Sequence, residues 1–175
     1  MFMKVQTQKN QLRQGIAIME FAVVFPFLLL MLLGIWELGR IIQVQQVMMN
    51  AARNGARLAA QAFIVNTFGA YTQITTNSGY PNVYGTMSEF LIGNGITNLN
   101  NVKMNFTFLS GDTTRQPWQG NKNEPFQITL TIPYNNVRLT TLTLFAPTNL
   151  TVQVQWQMLV DAPFAVSTTL PGWSP

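Results

Sequence analysis

The spacing of hydrophobic and polar positions changes character three times along the chain. Residues 1–15, MFMKVQTQKNQLRQG, carry Lys4, Lys9 and Arg13 and no acid. The next stretch, IAIMEFAVVFPFLLLMLLGIW from Ile16 to Trp36, is apolar almost without interruption. As a helix its 21 residues extend about 31 Å, the thickness of a bilayer's hydrocarbon core. Beyond Arg40, apolar or small residues recur at Ile41, Val44, Met48, Ala51, Gly55, Leu58 and Ala62, in alternating steps of three and four. That rhythm predicts an amphipathic helix continuing the apolar one, so that a single helix runs from about Ile16 to about Ile64. Pro26 lies inside it, where its missing N–H favours a kink.

After residue 100 the period falls to two. VKMNFTFL (102–109), FQITLTI (126–132) and LTVQVQWQMLV (150–160) each set apolar side chains on one face and polar ones on the other, the signature of half-buried strands. VRLTTLTLF (137–145) predicts a less regular fourth strand. TMSEFLIG (86–93) predicts a short helix capped by Thr86 or Ser88. The rest of 65–100 is rich in turn signals, SGDTTRQPWQGNKNEP (110–125) reads as an exposed loop, and the tail from Ala162 reads as irregular. The organisation predicted is therefore a basic segment at 1–15, a transmembrane helix at 16–38, its amphipathic continuation at 39–64, and an extracytoplasmic head at 65–175. The fold class is α+β, with the long helix, half transmembrane and half amphipathic, packed on an antiparallel sheet.

Charge fixes an orientation. Residues 1–63 hold six basic and two acidic side chains, whereas 64–175 hold four of each, so the net charge of +4 belongs to the first part. The near flank of the apolar run is positive, and on the far flank Glu37 and Arg40 cancel and, three residues apart, are placed to pair at the membrane surface. The positive-inside rule then puts the N-terminus in the cytoplasm and the head outside. A secretory signal peptide would have an apolar core of only about 7–15 residues followed by small residues at its cleavage site, unlike the GIWELGR exit here.

Composition excludes several chemistries. Cysteine and histidine are absent, which removes disulfides, thiol nucleophiles, His-based triads and Cys/His metal sites. The acids of the head, at 89, 112, 124 and 161, show no spacing suited to paired catalytic carboxylates or a calcium loop. The head also lacks the basic stripe of a nucleic-acid interface. No enzyme activity, cofactor, metal or nucleic acid is expected. Polarity is supplied by 15 Gln, 16 Asn and 19 Thr, an uncharged hydrogen-bonding surface suited to an extracytoplasmic protein.

One ionisable residue, Glu20, interrupts the apolar run. A charge near the bilayer centre costs about 2.5–3.5 kcal/mol or more, which marks it as a functional candidate unless its position near the interface keeps it hydrated. Its context is Gly15-Ile16-Ala17-Ile18-Met19-Glu20, preceded by three positive charges. A basic leader, a glycine and an apolar stretch with Glu at its fifth position resemble the processing site of type IV prepilins and pseudopilins. The resemblance implies cleavage between Gly15 and Ile16 by a membrane prepilin peptidase, and pairing of Glu20 with a neighbouring subunit's new N-terminal amine. Ile16 stands where the major type IV pilins often have Phe. The Glu20-Phe21 pair, Pro26, the exit Glu37-Leu38-Gly39-Arg40 and the block Asn50-Ala-Ala-Arg53-Asn-Gly55-Ala-Arg57 narrow the resemblance to the TadE-like pseudopilins of the tight-adherence (Tad, or Flp pilus) system, over residues 13–62.

What this resemblance implies is a non-enzymatic bacterial subunit with a pilin-like fold, in the inner membrane, with its head periplasmic or extracellular. Its partners would be the prepilin peptidase, other pilins or pseudopilins, the inner-membrane pilus assembly machinery and the lipid bilayer. The second reading is an uncleaved single-pass membrane protein whose head acts as a binding module or adhesin. Arg53 and Arg57, four apart, share a helix face. They are candidates to hold a partner carboxylate, a lipid phosphate or the head's own carbonyls, and a solvated face is the alternative.

Overall fold

The computed structural model describes residues 4–65, 69–138 and 147–159, with side chains from residue 18 onward. Its first element is a single 58-residue helix, α1 (Lys4–Gln61), with Pro26 inside it. The helix begins well before the Ile16 start expected from the apolar run. Gln, Lys, Arg and Leu dominate residues 4–14, and all are good helix formers with no Pro or Gly among them. The chain then forms a short antiparallel pair, β1 (Phe63–Val65) with β2 (Tyr71–Gln73), a second helix α2 (Val83–Gly93), and an antiparallel sheet of β3 (Lys103–Phe108), β4 (Pro125–Pro133) and β5 (Asn149–Gln157) in the order β3-β4-β5. The result is an α+β arrangement, as the change of period predicts.

Among the described residues the chain divides into two compact units, one holding α1 as far as Gln43 and the other beginning at Val44. In the first, the described part of α1 shows apolar side chains on all sides: Phe21, Val23, Phe27, Leu32, Ile35 and Trp36 are all more than half exposed. The most apolar 18-residue stretch has none of its residues buried. A helix apolar all round and covered by nothing is what lipid, and not a protein core, requires. By length and composition this is the one candidate membrane span among the described residues.

The second unit holds the core. Val44, Met48, Ala51, Ala52, Ala56, Ala59 and Ala60 of α1 are buried, while Gln45, Gln46, Asn50, Arg53, Arg57 and Gln61 are exposed. The predicted stripe is therefore real and turns inward from Val44 on. Small residues dominate it because neighbouring elements come close. A Cβ built on Gly55 would lie 2.6 Å from Met87 Cγ and Sδ and 3.3 Å from Val83 Cγ1, so α2 rests directly on the glycine. At the end of α1, Ala62 turns the chain with φ of 59°, and its carbonyl accepts the Ile74 N–H at 2.9 Å. The Ala60 carbonyl, one of the last-turn acceptors that a helix cannot satisfy itself, takes the Leu159 N–H at 2.8 Å. This turn makes Phe63–Val65 a strand and ends the helix three residues before the expected Ile64.

α2 starts earlier than the Thr86 or Ser88 cap predicts. Asn82 is the cap, its side-chain oxygen accepting the Gly85 N–H at 2.6 Å. The extra turn lets Val83, Met87 and Leu91 share one buried face. In the sheet, alternation fixes register. Phe106 lies opposite Ile128 and Phe108 opposite Phe126, while Ile128 faces Val154 and Leu130 faces Val152, so one face is wholly apolar. The other face is almost uncharged. Thr131 meets Thr151 at 3.1 Å and Gln155 donates to Gln127 at 3.3 Å across β4 and β5. Of the expected fourth strand, Val137 and Arg138 lie outside any strand. Its remainder, 139–146, and the tail from Ala162 fall outside the described residues.

The Gly55 contact gives a direct prediction. Gly55→Ala gains up to about 1 kcal/mol in helix propensity but overpacks a buried site, typically at about 1–3 kcal/mol. A net loss on the order of 1 kcal/mol is expected, and more for Gly55→Val, measured as the thermal unfolding midpoint of the detergent-solubilised chain. Adding Met87→Ala to Gly55→Val should recover part of the clash term beyond the sum of the single effects.

Candidate functional site

The residues singled out by sequence fall on one helix. Gly15 and Ile16 lie within α1. Glu20 follows Ile16 by four residues, so the two positions stand on the same helix face one turn apart. Glu20 is exposed, between Met19 at 73% and Phe21 at 61% exposure. Among the described residues no side chain buries it, and it lies within the apolar stretch of the helix. Phe21 stacks on Phe25, ring centroids 5.3 Å apart, on the adjoining surface. At the far end of the apolar stretch Glu37 and Arg40 are half-exposed, and Arg40 donates from Nη1 to Gln43 Oε1 at 3.2 Å.

The block from Asn50 to Arg57 divides cleanly by face. Ala51, Ala52, Gly55 and Ala56 are buried against the head, and Asn50, Arg53 and Arg57 point outward. Neither arginine has an ion pair or hydrogen bond among the described residues. Of the carbonyls at the end of α1, that of Ala60 is taken by the Leu159 amide. Arg57 lines a shallow groove between α1 and α2 with Leu58, Gln61, Thr86, Glu89 and Phe90.

A second cluster, in the head, is invisible to spacing rules because its members meet only when a loop folds back. Residues 110–125, expected as an exposed loop, are pinned at their base. Arg115 holds Glu124 in a two-pronged ion pair, Nη1 to Oε1 at 2.7 Å and Nη2 to Oε2 at 2.9 Å. The same guanidinium lies 4.4 Å from the Phe108 ring centroid and donates to the Gln119 carbonyl at 2.6 Å. Glu124 also accepts the Asn121 N–H at 2.9 Å. Gln116 reaches the neighbouring loop, its Oε1 accepting from Thr76 N at 2.9 Å and Oγ1 at 3.0 Å. Pro117 is buried, and Gly120 sits so close to Met158 and Phe108 that a Cβ would lie 2.8 Å and 3.0 Å from them. The hydrogen bonds from Arg115 and from the Asn121 amide hold the Glu124 carboxyl down to about 2, and Asp112 is lowered by its bonds from Thr114. This cluster organises the connection between β3 and β4 and so shapes one end of the sheet.

Residues 15–57 match the family model described as TadE-like protein. The match starts at Gly15 and ends at Arg57, so it covers the apolar helix with Glu20, the Glu37–Arg40 exit and the whole of the Asn50–Arg57 block, and none of the sheet. No curated protein matches the chain. No solved structure matches it either.

The Arg115–Glu124 pair makes head stability pH-dependent in a definite direction. The folded Glu124 carboxyl is held down to about 2, below its ordinary value of 4.5, so its contribution is complete above that ordinary value and is lost as pH falls toward 2. The unfolding midpoint of the solubilised chain should drop between pH 5 and pH 2. Glu124→Gln should lower the midpoint at pH 7 and flatten that acid slope, and an unchanged slope would remove Glu124 from the account.

Proposed function

We propose that this chain is a pilin-like subunit of a Tad (Flp-type) pilus, anchored in the membrane by α1 and drawn into assembly through Glu20. The observation that carries the reading is the placement of the family match. It begins at Gly15, the glycine between a basic leader and the apolar helix, and it includes Glu20 at the fifth position beyond.

On this reading the precursor lies across the inner membrane with residues 1–15 in the cytoplasm and the head periplasmic. A prepilin peptidase hydrolyses the Gly15–Ile16 amide. Loss of the leader removes Lys4, Lys9 and Arg13 and with them the charges that oppose extraction of the helix from the membrane. It also leaves the ammonium of Ile16 in an apolar setting. An isolated ammonium and an isolated carboxylate are each costly there. Glu20 of one subunit against the Ile16 amine of a neighbour neutralises both, so the membrane itself favours subunits meeting in one register. The geometry of α1 suits this: Glu20 is exposed on the helix and no side chain of the described chain competes for it. The head, with its neutral Thr and Gln face, contributes no chemistry to the step. Its role is structural, and the other pilins and the assembly machinery are the partners.

Glu20→Gln keeps the shape and removes the charge. Cells carrying it should process and accumulate the protein as wild type does, because the peptidase reads the glycine, but should lose pilus production or co-assembly. Surface pili counted by electron microscopy, with the protein quantified by immunoblot, decide the matter. Wild-type pili in the Gln variant would make the charge incidental.

A further inference from the structure

The groove between α1 and α2 carries a pair of opposite charges that do not meet. Arg57 on α1 and Glu89 on α2 are both exposed and both line it, yet no ion pair joins them. Between and beside them lie the half-buried Leu58 and Phe90 and the polar Gln61 and Thr86. Gly55 holds the two helices close one half-turn away, so the groove is a fixed feature of the unit. Apolar surface flanked by a cation and an anion, on rigid helices, has the composition of a small protein-docking surface. Its balanced charge does not suit an anionic lipid headgroup, since Glu89 would oppose the phosphate that Arg57 attracts.

We propose that this groove is a self-complementary contact between two copies of the chain, Arg57 of each pairing with Glu89 of the other. The argument is one of symmetry and charge. Copies inserted in a bilayer with the same orientation are related by an axis along the membrane normal, so equivalent residues stand at equal heights. Arg57 and Glu89 share one groove. A two-fold axis through that groove sets each cation against the other copy's anion, twice, and brings Leu58 and Phe90 of both copies together. An isologous contact of this kind needs a patch that is complementary to itself, which a groove with one charge of each sign provides. The patch is small, and confinement of both copies to one membrane raises their effective concentration, which lets a small patch suffice. The inference rests on single-pass anchoring in one orientation. It is independent of cleavage at Gly15 and of the role of Glu20.

The test uses the absence of cysteine from the chain. Full-length protein carrying Gln61→Cys or Thr86→Cys, in membrane vesicles of known orientation, is oxidised and the disulfide-linked dimer quantified on non-reducing gels. Arg57→Glu alone and Glu89→Arg alone place like charges across the axis and should each reduce the dimer about tenfold, the size of one close interfacial charge pair. Differently tagged copies of the two single variants, expressed together, should form mixed dimers at the wild-type level, because each carries the charge that the other has lost. This rescue in trans distinguishes pairing between copies from pairing within one chain. Lys103→Glu, the same change of charge elsewhere on the head, should leave the yield unchanged. Both reversed side chains are exposed, so circular dichroism should show wild-type folding. A precursor kept uncut by replacing Gly15 should cross-link as well as the processed chain. Equal yields in the single variants, failure of the mixed pair to recover, or cross-links to another protein alone would each overturn the proposal.

Discussion

The structure depends on keeping the apolar surface of a single long helix out of water by two different means. From Ile18 to Leu38 the apolar side chains of α1 are exposed on every side among the described residues, the arrangement that suits a helix surrounded by lipid. From Val44 onward the same helix shows an inward stripe of Val, Met, Ala and Gly and an outward row of Gln, Asn and Arg. The head exists, in physical terms, as the surface that buries that stripe. Its elements are placed by the stripe's small residues: α2 sits on Gly55, and the strand connections return to Ala60 and Ala62 at the helix end.

The same constraint acts inside the segment that matches the family model, which ends at Arg57. Ala51, Ala52, Gly55 and Ala56 of the Asn50–Arg57 block are buried, and at Gly55 any larger residue would meet Met87. The sheet answers to a looser rule, alternation of apolar and neutral polar positions, which many sequences satisfy. Here it is met by Phe, Ile, Leu and Val on one face and by Thr and Gln on the other, and this is where much of the chain's neutral polarity is placed. The head is further held by contacts among its loops, above all Arg115 with Glu124 and the Phe108 ring.

The parts that were legible in the sequence are those governed by periodicity. The α1 stripe, the three strands of the main sheet and a short helix near residue 90 all announce themselves by steps of three and four or of two. The parts that were not legible depend on contacts between distant residues. Asn82 caps α2 because Val83 and Met87 must face α1, so the start of the helix is set by packing and not by the Thr and Ser nearer its middle. Ala62 adopts a left-handed conformation that its residue type does not favour, held there by the Ile74 amide. Arg115 and Glu124, and Gln116 with Thr76, come together across loops whose composition reads as plain solvent-exposed chain. At the candidate site, Gly15, Ile16, Glu20, Arg53 and Arg57 were all picked out by sequence. What sequence did not offer was the juxtaposition of Arg57 with Glu89, since α2's placement on α1 is a tertiary fact.

The central claim is that a membrane-anchored precursor becomes a pilus subunit by exposing the amine of Ile16 one helical turn from Glu20. The intact mass of the chain extracted from membranes of cells with an active prepilin peptidase tests it most directly. The account predicts a species lacking residues 1–15 and beginning at Ile16. A membrane form that still begins at Met1 would contradict it and leave the uncut, single-pass binding protein as the reading.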